Sequence, residues 1–141
     1  MLDRELGSVL GRVAEIASSV TAGEAERVDR DASWPEGSLR ALQAAGLGGL
    51  VVSADDGGLG LGLFALARAC EILGEQCASI ALCFGMHCVG AAVISAKATP
   101  HHRERYLEPI VRGKHVTTLA LSEPGTGAHE LVAELVGSRA R

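Results

Sequence analysis

Apolar residues in the first 20 positions recur at intervals of three and four, which places them on one face of a helix. They are Leu2, Leu6, Val9, Leu10, Val13, Ile16, Ala17 and Val20. The spacing predicts a first helix, and the charged stretch 24–31 is compatible with its extension. A second helix is predicted from the capping-box spacing of Ser33 and Glu36, with Pro35 near its first position. Gly46, which can take the left-handed conformation, is its predicted end.

The stretch after Gly46 has two parts before the next helix. Residues 47–52 are apolar and predict a short extended link. Residues 55–62 hold glycines at 57, 58, 60 and 62, which indicates tight turns or the close approach of another backbone. A dinucleotide cradle requires a second strand after the following helix, and the pattern offers none. We therefore interpret 55–62 as a turn before a helix.

Three further helices are predicted downstream of this turn. The third covers 63–75, and the fourth covers 78–97, where the apolar residues lie on all sides and must be enclosed by neighbours. Ile80, Phe84 and Val93 are therefore expected among the most buried residues. A fifth helix is predicted from Thr99 to Gly113, with Pro109 as a point where it can kink or split.

The character of the chain changes after Gly113. Residues 116–121 are β-branched and apolar and predict a strand, followed by a turn at 122–127. A lone strand leaves its backbone groups unpaired, and residues 128–141 can hardly supply partners. We expect an all-α bundle of about five helices with one or two short terminal strands, in a chain cut short of its sheet.

Composition excludes several classes of function. The length of 141 residues and the hydrophobic content of 48% suit one core. A net charge of −4 and an aromatic content of 3% disfavour nucleic acid as a partner. The apolar run 80–94 is shorter than the roughly 20 residues that a membrane span needs, so we expect no span.

The cysteines indicate a reducing compartment and no metal site. Their spacing lacks a CxxC or Cys/His pattern, so we interpret them as buried free thiols. They are Cys70, Cys77, Cys83 and Cys88. The N-terminal segment mixes charged and apolar residues and shows no secretory signal, which predicts a cytoplasmic location.

The segment 119–127, LALSEPGTG, resembles the signature of the acyl-CoA dehydrogenase family. The resemblance is reinforced by ALQAAGLGGL at 41–50, DGGLG at 56–60, and the residues between Tyr106 and Lys114. It implies a helical N-terminal domain over 1–114 and the incomplete start of a middle β domain over 115–141. The catalytic base and the second half of the flavin pocket are then expected beyond Arg141.

The same resemblance implies FAD as the cofactor. The backbone of 119–128 would line the flavin, because glycines permit close approach and turn amides face its acceptors. The cofactor-binding residues implied are Leu119, Leu121, Ser122, Gly127 and Ala128, with Ala128 also on the substrate side. Ala128 departs from the family, which has serine there, so a hydroxyl expected near the flavin and the thioester is absent.

His87 is the candidate for pocket chemistry, because it interrupts the apolar fourth helix. One interpretation is a buried neutral histidine with one hydrogen-bond partner. The other is a substrate-binding residue beside the flavin that handles a proton or a peroxide oxygen, as in monooxygenases of related fold. His101 and His102 are interpreted as solvated.

Three functions remain open at this point. The first is an FAD-dependent acyl-CoA dehydrogenase, present here as an N-terminal fragment without a catalytic residue of its own. The resemblance then implies an acyl-CoA substrate, an electron-transfer flavoprotein or other acceptor, and a homo-oligomer. The second is a flavin-dependent monooxygenase of the same fold. The third is a truncated helical interaction module without catalysis.

Overall fold

The computed structural model describes residues 2–119, and these form a bundle of five helical rods. The α-helices are α1 (Leu2–Ile16), α2 (Ala22–Asp31), α3 (Glu36–Ala44), α4 (Gly62–Gly74), α5 (Ala78–Lys97), α6 (Pro100–His102) and α7 (Glu108–Val111). A π turn at Ala17–Thr21 joins α1 and α2 into one rod, and another at Arg103–Leu107 joins α6 and α7. The expected all-α class is confirmed.

The first rod follows its predicted apolar stripe. Val9, Val13 and Ala17 are buried in the main core, and Leu6 and Leu10 pack against it. The charged stretch continues the rod as α2, which ends where Ala32 takes a left-handed conformation with φ of 48°. The rest of the main core comes from α3, α4, α5 and the link after α3. Those residues are Leu39, Leu42, Leu47, Leu50, Ala65, Leu66, Ala69, Leu73, Ala81, Phe84 and Cys88.

Helix α3 begins as predicted, but the predicted capping box is wrong. Pro35 occupies the N-cap position and provides no side-chain bond to the helix. The hydroxyl of Ser33 instead accepts a hydrogen bond from the guanidinium of Arg27, at 2.6 Å. The free N–H groups of Gly37 and Ser38 are bonded by a carboxylate of α2, that of Glu24. A tertiary contact therefore replaces the local cap.

The link after α3 is coiled rather than extended, contrary to the sequence prediction. A 3-10 turn covers Leu47–Gly49, and the N–H of Leu50 donates to the carbonyl of Leu47 at 3.1 Å. This winding directs both leucine side chains and that of Val52 into the interior, where all three are fully buried. An extended strand would alternate its side chains and expose every second one.

The glycine-rich run forms the turn that the sequence predicted. A 3-10 turn covers Ala54–Asp56, and α4 begins at Gly62. Gly58 is required by space, because a Cβ there would lie 2.2 Å from the carbonyl oxygen of Val52. Asp56 holds the turn to the rest of the bundle through an ion pair with Arg103 and a hydrogen bond from the hydroxyl of Ser95.

Helix α5 has the predicted bounds but not the predicted burial. Ile80 and Phe84 are buried, whereas Val93 is 46% exposed. One face of α5 packs on α4 and the other, including Leu82 at 65% exposure, faces outward. Uniform apolarity concealed these two faces. The whole of α5 has 20 residues and is long and apolar enough to cross a membrane by length and composition alone, a property that the core helix of a globular domain can share.

The last rod begins and ends as predicted. Thr99 and His102 form a capping box at the start of α6, and Gly113 has a positive φ of 68° after α7. Pro109 cannot donate to the carbonyl of Arg105, and the π turn lies just before it. His101 and His102 are exposed, as expected.

The strand predicted over 116–121 is not formed in its described part. Residues 115–119 have neither helical nor strand structure, because no neighbouring strand pairs with them within residues 2–119. Residues 120 and 121 lie outside the described residues. The domain boundary after residue 114 stays a prediction.

Candidate functional site

Residues 115–119 form the exit segment, which crosses α5 as the chain leaves the bundle and is held there by His87. The backbone N–H of Thr117 donates to Nδ1 of His87 at 3.1 Å. Nε2 of the same ring lies 3.0 Å from the carbonyl oxygen of Gly48. The imidazole is only 2% exposed, so both of its nitrogens are bonded to backbone inside the protein.

These two hydrogen bonds determine the tautomer of His87. Because Thr117 donates, Nδ1 carries no proton, and Nε2–H therefore donates to Gly48. Burial lowers the pKa of His87, and the bond to the Gly48 carbonyl opposes part of that effect. The ring is thus held neutral, with one donor and one acceptor that are both used.

Two more contacts hold the same segment. The side-chain amide of Gln43 donates to the carbonyl of His115 at 3.1 Å. Gly90, one turn after His87, lies directly beneath the segment, because a Cβ there would be 3.0 Å from the carbonyl oxygen of Thr118. The path of 115–118 is therefore fixed by α3 and α5.

An apolar cavity of about 360 Å³ opens where this segment crosses α5. Its walls come from three parts of the chain: the link between α2 and α3, the outward face of α5 and the exit segment. The lining residues are Trp34, Leu82, Cys83, Met86, Val116, Thr117 and Thr118. A second cavity of about 490 Å³ lies on the other side of Thr117, between α5 and the last rod. Both are suited to apolar ligands or side chains.

The structure describes two of the site residues predicted from the sequence, and the others lie beyond residue 119. Leu119 is half-buried at the end of the exit segment, next to the cavity residue Thr118. His87 lies beneath that segment, with both nitrogens occupied. The remaining predicted residues lie outside the described residues, and their roles stay predictions. These are Leu121, Ser122, Gly127 and Ala128.

The sequence interpretation missed Leu82 and Met86, which line the cavity from α5. An all-round apolar helix gives no signal for which of its faces remains open. The thiol of Cys83 also lines the cavity, and burial, together with the charge of Cys77, raises the pKa of this thiol. Between residues 2 and 119, no group of three His, Cys, Asp or Glu residues has the arrangement of a metal site.

The bundle and the cavity can be compared with known proteins. Residues 4–114 match the family model described as acyl-CoA dehydrogenase, N-terminal domain. The chain belongs to the acyl-CoA dehydrogenase family. This confirms the family resemblance that the sequence suggested.

The relatives of this acyl-CoA dehydrogenase family member are longer proteins. It is 32% identical over 121 residues to the mitochondrial isovaleryl-CoA dehydrogenase of Arabidopsis thaliana, with 82% of this chain and 29% of that protein covered. It is 26% identical to the short-chain specific acyl-CoA dehydrogenase of Clostridium acetobutylicum, with 96% of this chain and 37% of that protein covered. The chain thus spans about a third of these relatives.

A solved structure shares the fold of the chain. It is described as an electron transferring flavoprotein of Acidaminococcus fermentans, studied for flavin-based electron bifurcation, and one of its chains superposes with a TM-score of 0.79. The sequence identity is 25%, and the match covers 89% of this chain and 34% of that one.

Proposed function

We propose that the chain provides the helical part of an FAD-dependent acyl-CoA dehydrogenase, which removes hydrogen from Cα and Cβ of an acyl-CoA thioester. The observation that carries the proposal is the apolar cavity beside the exit segment. Leu82 and Met86 form its floor on α5, and Thr118 stands at its edge, one residue before the segment that resembles the flavin signature. An acyl chain in this cavity would lie next to a flavin bound by that segment.

The cavity suits the hydrocarbon part of the substrate. Its lining side chains are apolar except for hydroxyl, thiol and indole N–H groups, and each methylene transferred into such a site contributes about 0.8 kcal/mol. Affinity for acyl-CoA should therefore rise with acyl length until the cavity is full. The CoA moiety would remain outside, where it meets water and polar groups.

The described residues fit a flavin at one point. Leu119 is half-buried at the end of the segment 115–119, and the glycine-containing sequence that follows is predicted to form a turn, which would present backbone amides to flavin acceptors. In this proposal the backbone of Leu119 and Leu121 lines the ring, Ser122 hydrogen-bonds its polar edge, and Gly127 and Ala128 leave room for the phosphates. When bound, FAD supplies the hydride acceptor for the oxidation of the Cα–Cβ bond.

Removal of the Cα proton of the substrate requires a base, and residues 2–119 do not place one at the cavity. Within residues 2–119, no carboxylate is among the side chains that line it. The resemblance to the family implies a base beyond Arg141, and on that ground we propose that the chain alone does not turn over acyl-CoA. An electron-transfer flavoprotein as acceptor, a homo-oligomer and a cytoplasmic location belong to the same proposal.

The monooxygenase alternative gains no support from His87. A histidine that handles a proton or an oxygen species needs a free ring nitrogen facing the reacting atoms. Both nitrogens of His87 are bonded to backbone groups, and the ring is buried. The apolar cavity, by contrast, matches an acyl chain directly.

Ligand binding to the 141-residue chain tests the proposal. FAD binding is followed by the quenching of flavin fluorescence, and acyl-CoA binding by calorimetry with butyryl-CoA, octanoyl-CoA and free CoA. We expect weak, saturable FAD binding and a preference for octanoyl-CoA over free CoA. Saturation with free CoA at the same affinity as octanoyl-CoA would contradict the assigned acyl site, and no FAD binding would contradict the flavin site.

A matched pair of variants locates the acyl site. Leu82→Asp places a charge in the cavity, whereas Leu63→Asp changes an exposed leucine of α4 that does not line it. We expect octanoyl-CoA binding to be lost in the first variant and retained in the second. Equal binding by both variants would place the acyl chain elsewhere.

A further inference from the structure

We infer that His87 is a positioning residue, which fixes the start of the flavin-binding segment through its hydrogen bond with Thr117. The inference rests on the proposed function, because it assumes that the segment after Thr118 contacts FAD. It assigns His87 a role different from the pocket chemistry considered from the sequence. His87 acts through the backbone and does not touch the substrate.

The side chain of His87 connects the interior of the bundle to the exit segment. Gly48 lies in the 3-10 turn Leu47–Gly49, which is buried in the main core. The Nε2–H of His87 is bonded to that turn, and its Nδ1 accepts from Thr117, so two fixed points determine the plane of the ring. The N–H of Thr117 is consequently positioned relative to the core and not by the solvent-exposed loop around it.

Gly90 makes the hydrogen bond possible by letting the segment approach α5. A Cβ at Gly90 would be 3.0 Å from both Cγ2 of Thr117 and the carbonyl of Thr118. His87 and Gly90 are three residues apart and therefore lie on the same side of the helix. Together they fix the backbone position of the two residues that precede Leu119.

The backbone position of these two residues matters because a flavin-binding loop acts through backbone amides that point at the flavin. An amide donor displaced by about 1 Å loses most of its directional hydrogen bond, so the anchor before the loop influences the whole contact. The neutral tautomer is essential to the anchor. A protonated ring would direct a second N–H at the N–H of Thr117, and the bond would be lost.

Two amide substitutions separate the two hydrogen bonds of His87. Asparagine can place its carbonyl oxygen near the former Nδ1 and accept from Thr117, but it cannot reach Gly48. Glutamine can place its amide nitrogen near the former Nε2 and donate to Gly48, but it offers Thr117 no acceptor. Both remove the ring, so a role limited to core packing would affect both variants alike.

We expect His87→Asn to keep FAD affinity close to that of the natural chain and His87→Gln to weaken it by about tenfold, the effect of one lost buried hydrogen bond. The amide of Thr117 should remain protected from hydrogen exchange in the first variant and become unprotected in the second. Equal loss of FAD affinity in both variants, in proportion to their stability, would overturn the inference.

The amide chemical shifts of residues 119–128, measured without flavin, distinguish failure of this inference from failure of the proposed function. We expect His87→Gln, but not His87→Asn, to change them. Unchanged shifts in His87→Gln overturn the positioning role whether or not the natural chain binds FAD. If the natural chain binds no FAD but the shifts change as expected, the flavin proposal fails and the anchor stands.

A second variant serves if the His87 variants do not fold. Gly90→Ala leaves the ring in place but pushes on Thr118, and Gly11→Ala is its control, because no atom lies within 4 Å of a Cβ at Gly11. We expect the first to change the shifts of 119–128 and weaken FAD binding, and the second to do neither. Identical shifts in the two variants would overturn the inference.

Discussion

The carboxylate of Glu24 on α2 accepts hydrogen bonds from both the backbone N–H and the hydroxyl of Ser38 on α3, each at 2.7 Å. It also accepts from the N–H of Gly37 at 3.2 Å and pairs with Arg27 at 3.0 Å. The first N–H groups of a helix have no partner within the helix, and a negative charge at this end is favourable. Glu24 therefore caps α3 from a neighbouring rod.

Removal of this tertiary cap should destabilise the bundle. We expect Glu24→Ala to lower the free energy of unfolding by about 1 to 3 kcal/mol, the range for losing hydrogen bonds to a charged group and a helix cap. Glu26→Ala is the control, since that side chain is 87% exposed and its ion pair within residues 2–119 is with Arg30 on its own helix. It should change stability by less than about 0.5 kcal/mol in urea denaturation. Equal losses would refute the capping role.

The same contact predicts a pH dependence. Burial raises the pKa of Glu24, but the hydrogen bonds from Ser38, Gly37 and Arg27 outweigh it and hold the pKa below its ordinary value of 4.5. The unfolded chain therefore binds the proton more tightly. Stability from Glu24 is present above pH 4.5 and is lost as the pH falls through the lower pKa of the folded state.

Comparison with Glu24→Gln isolates this effect. The stability difference between the natural chain and this variant should be largest near pH 6 and should shrink as the pH falls below 4.5. Denaturation curves recorded between pH 3 and pH 7 measure it. A difference that stays constant over this range would show that the charge of Glu24 contributes nothing to the cap.

The cap of α3 also shows what a sequence can and cannot reveal. A helix starting between Ser33 and Glu36 was predictable from a local pattern, and so were both ends of α5. The bond from Ser38 to Glu24 joins residues 14 positions apart, so no local pattern contains it. Tertiary contacts of this kind replaced the predicted capping box at Ser33.

The candidate site divides in the same way. The signature after Thr118 was recognisable from its amino-acid sequence, and His87 stood out as a polar residue in an apolar helix. Its two backbone partners, Gly48 and Thr117, are 39 and 30 positions away and became visible only in the folded chain. The exposure of Leu82 likewise depends on which neighbours pack on α5, which composition does not specify.

The turn before α4 yields a prediction about close packing. Gly58→Ala would place a Cβ 2.2 Å from the carbonyl oxygen of Val52, which is backbone and cannot rotate away. We expect a loss of about 1 to 3 kcal/mol in the free energy of unfolding, as for other overpacked interiors. Gly11→Ala, in open space on α1, should instead stabilise the chain by about 0.5 to 1 kcal/mol. Thermal unfolding of the two variants gives the comparison.

The cysteines provide a chemical test of the acyl cavity. Thiolates react with iodoacetamide, and burial, with a contribution from Cys70, raises the pKa of Cys88 to about 12, so this residue should stay unlabelled in the folded chain. Cys83 is half-buried and lines the cavity, while Cys70 is half-buried but does not line it. Burial also raises the pKa of both, so labelling requires alkaline conditions.

Saturating octanoyl-CoA should slow the labelling of Cys83 and leave that of Cys70 unchanged, because the acyl chain would cover only the cavity. Peptide mass spectrometry after timed labelling at pH 9 measures both rates in the same sample. Free CoA controls for effects of the nucleotide, and it should protect neither residue. Protection of both cysteines by octanoyl-CoA would indicate a general tightening of the bundle, and protection of neither would place the acyl chain outside the cavity.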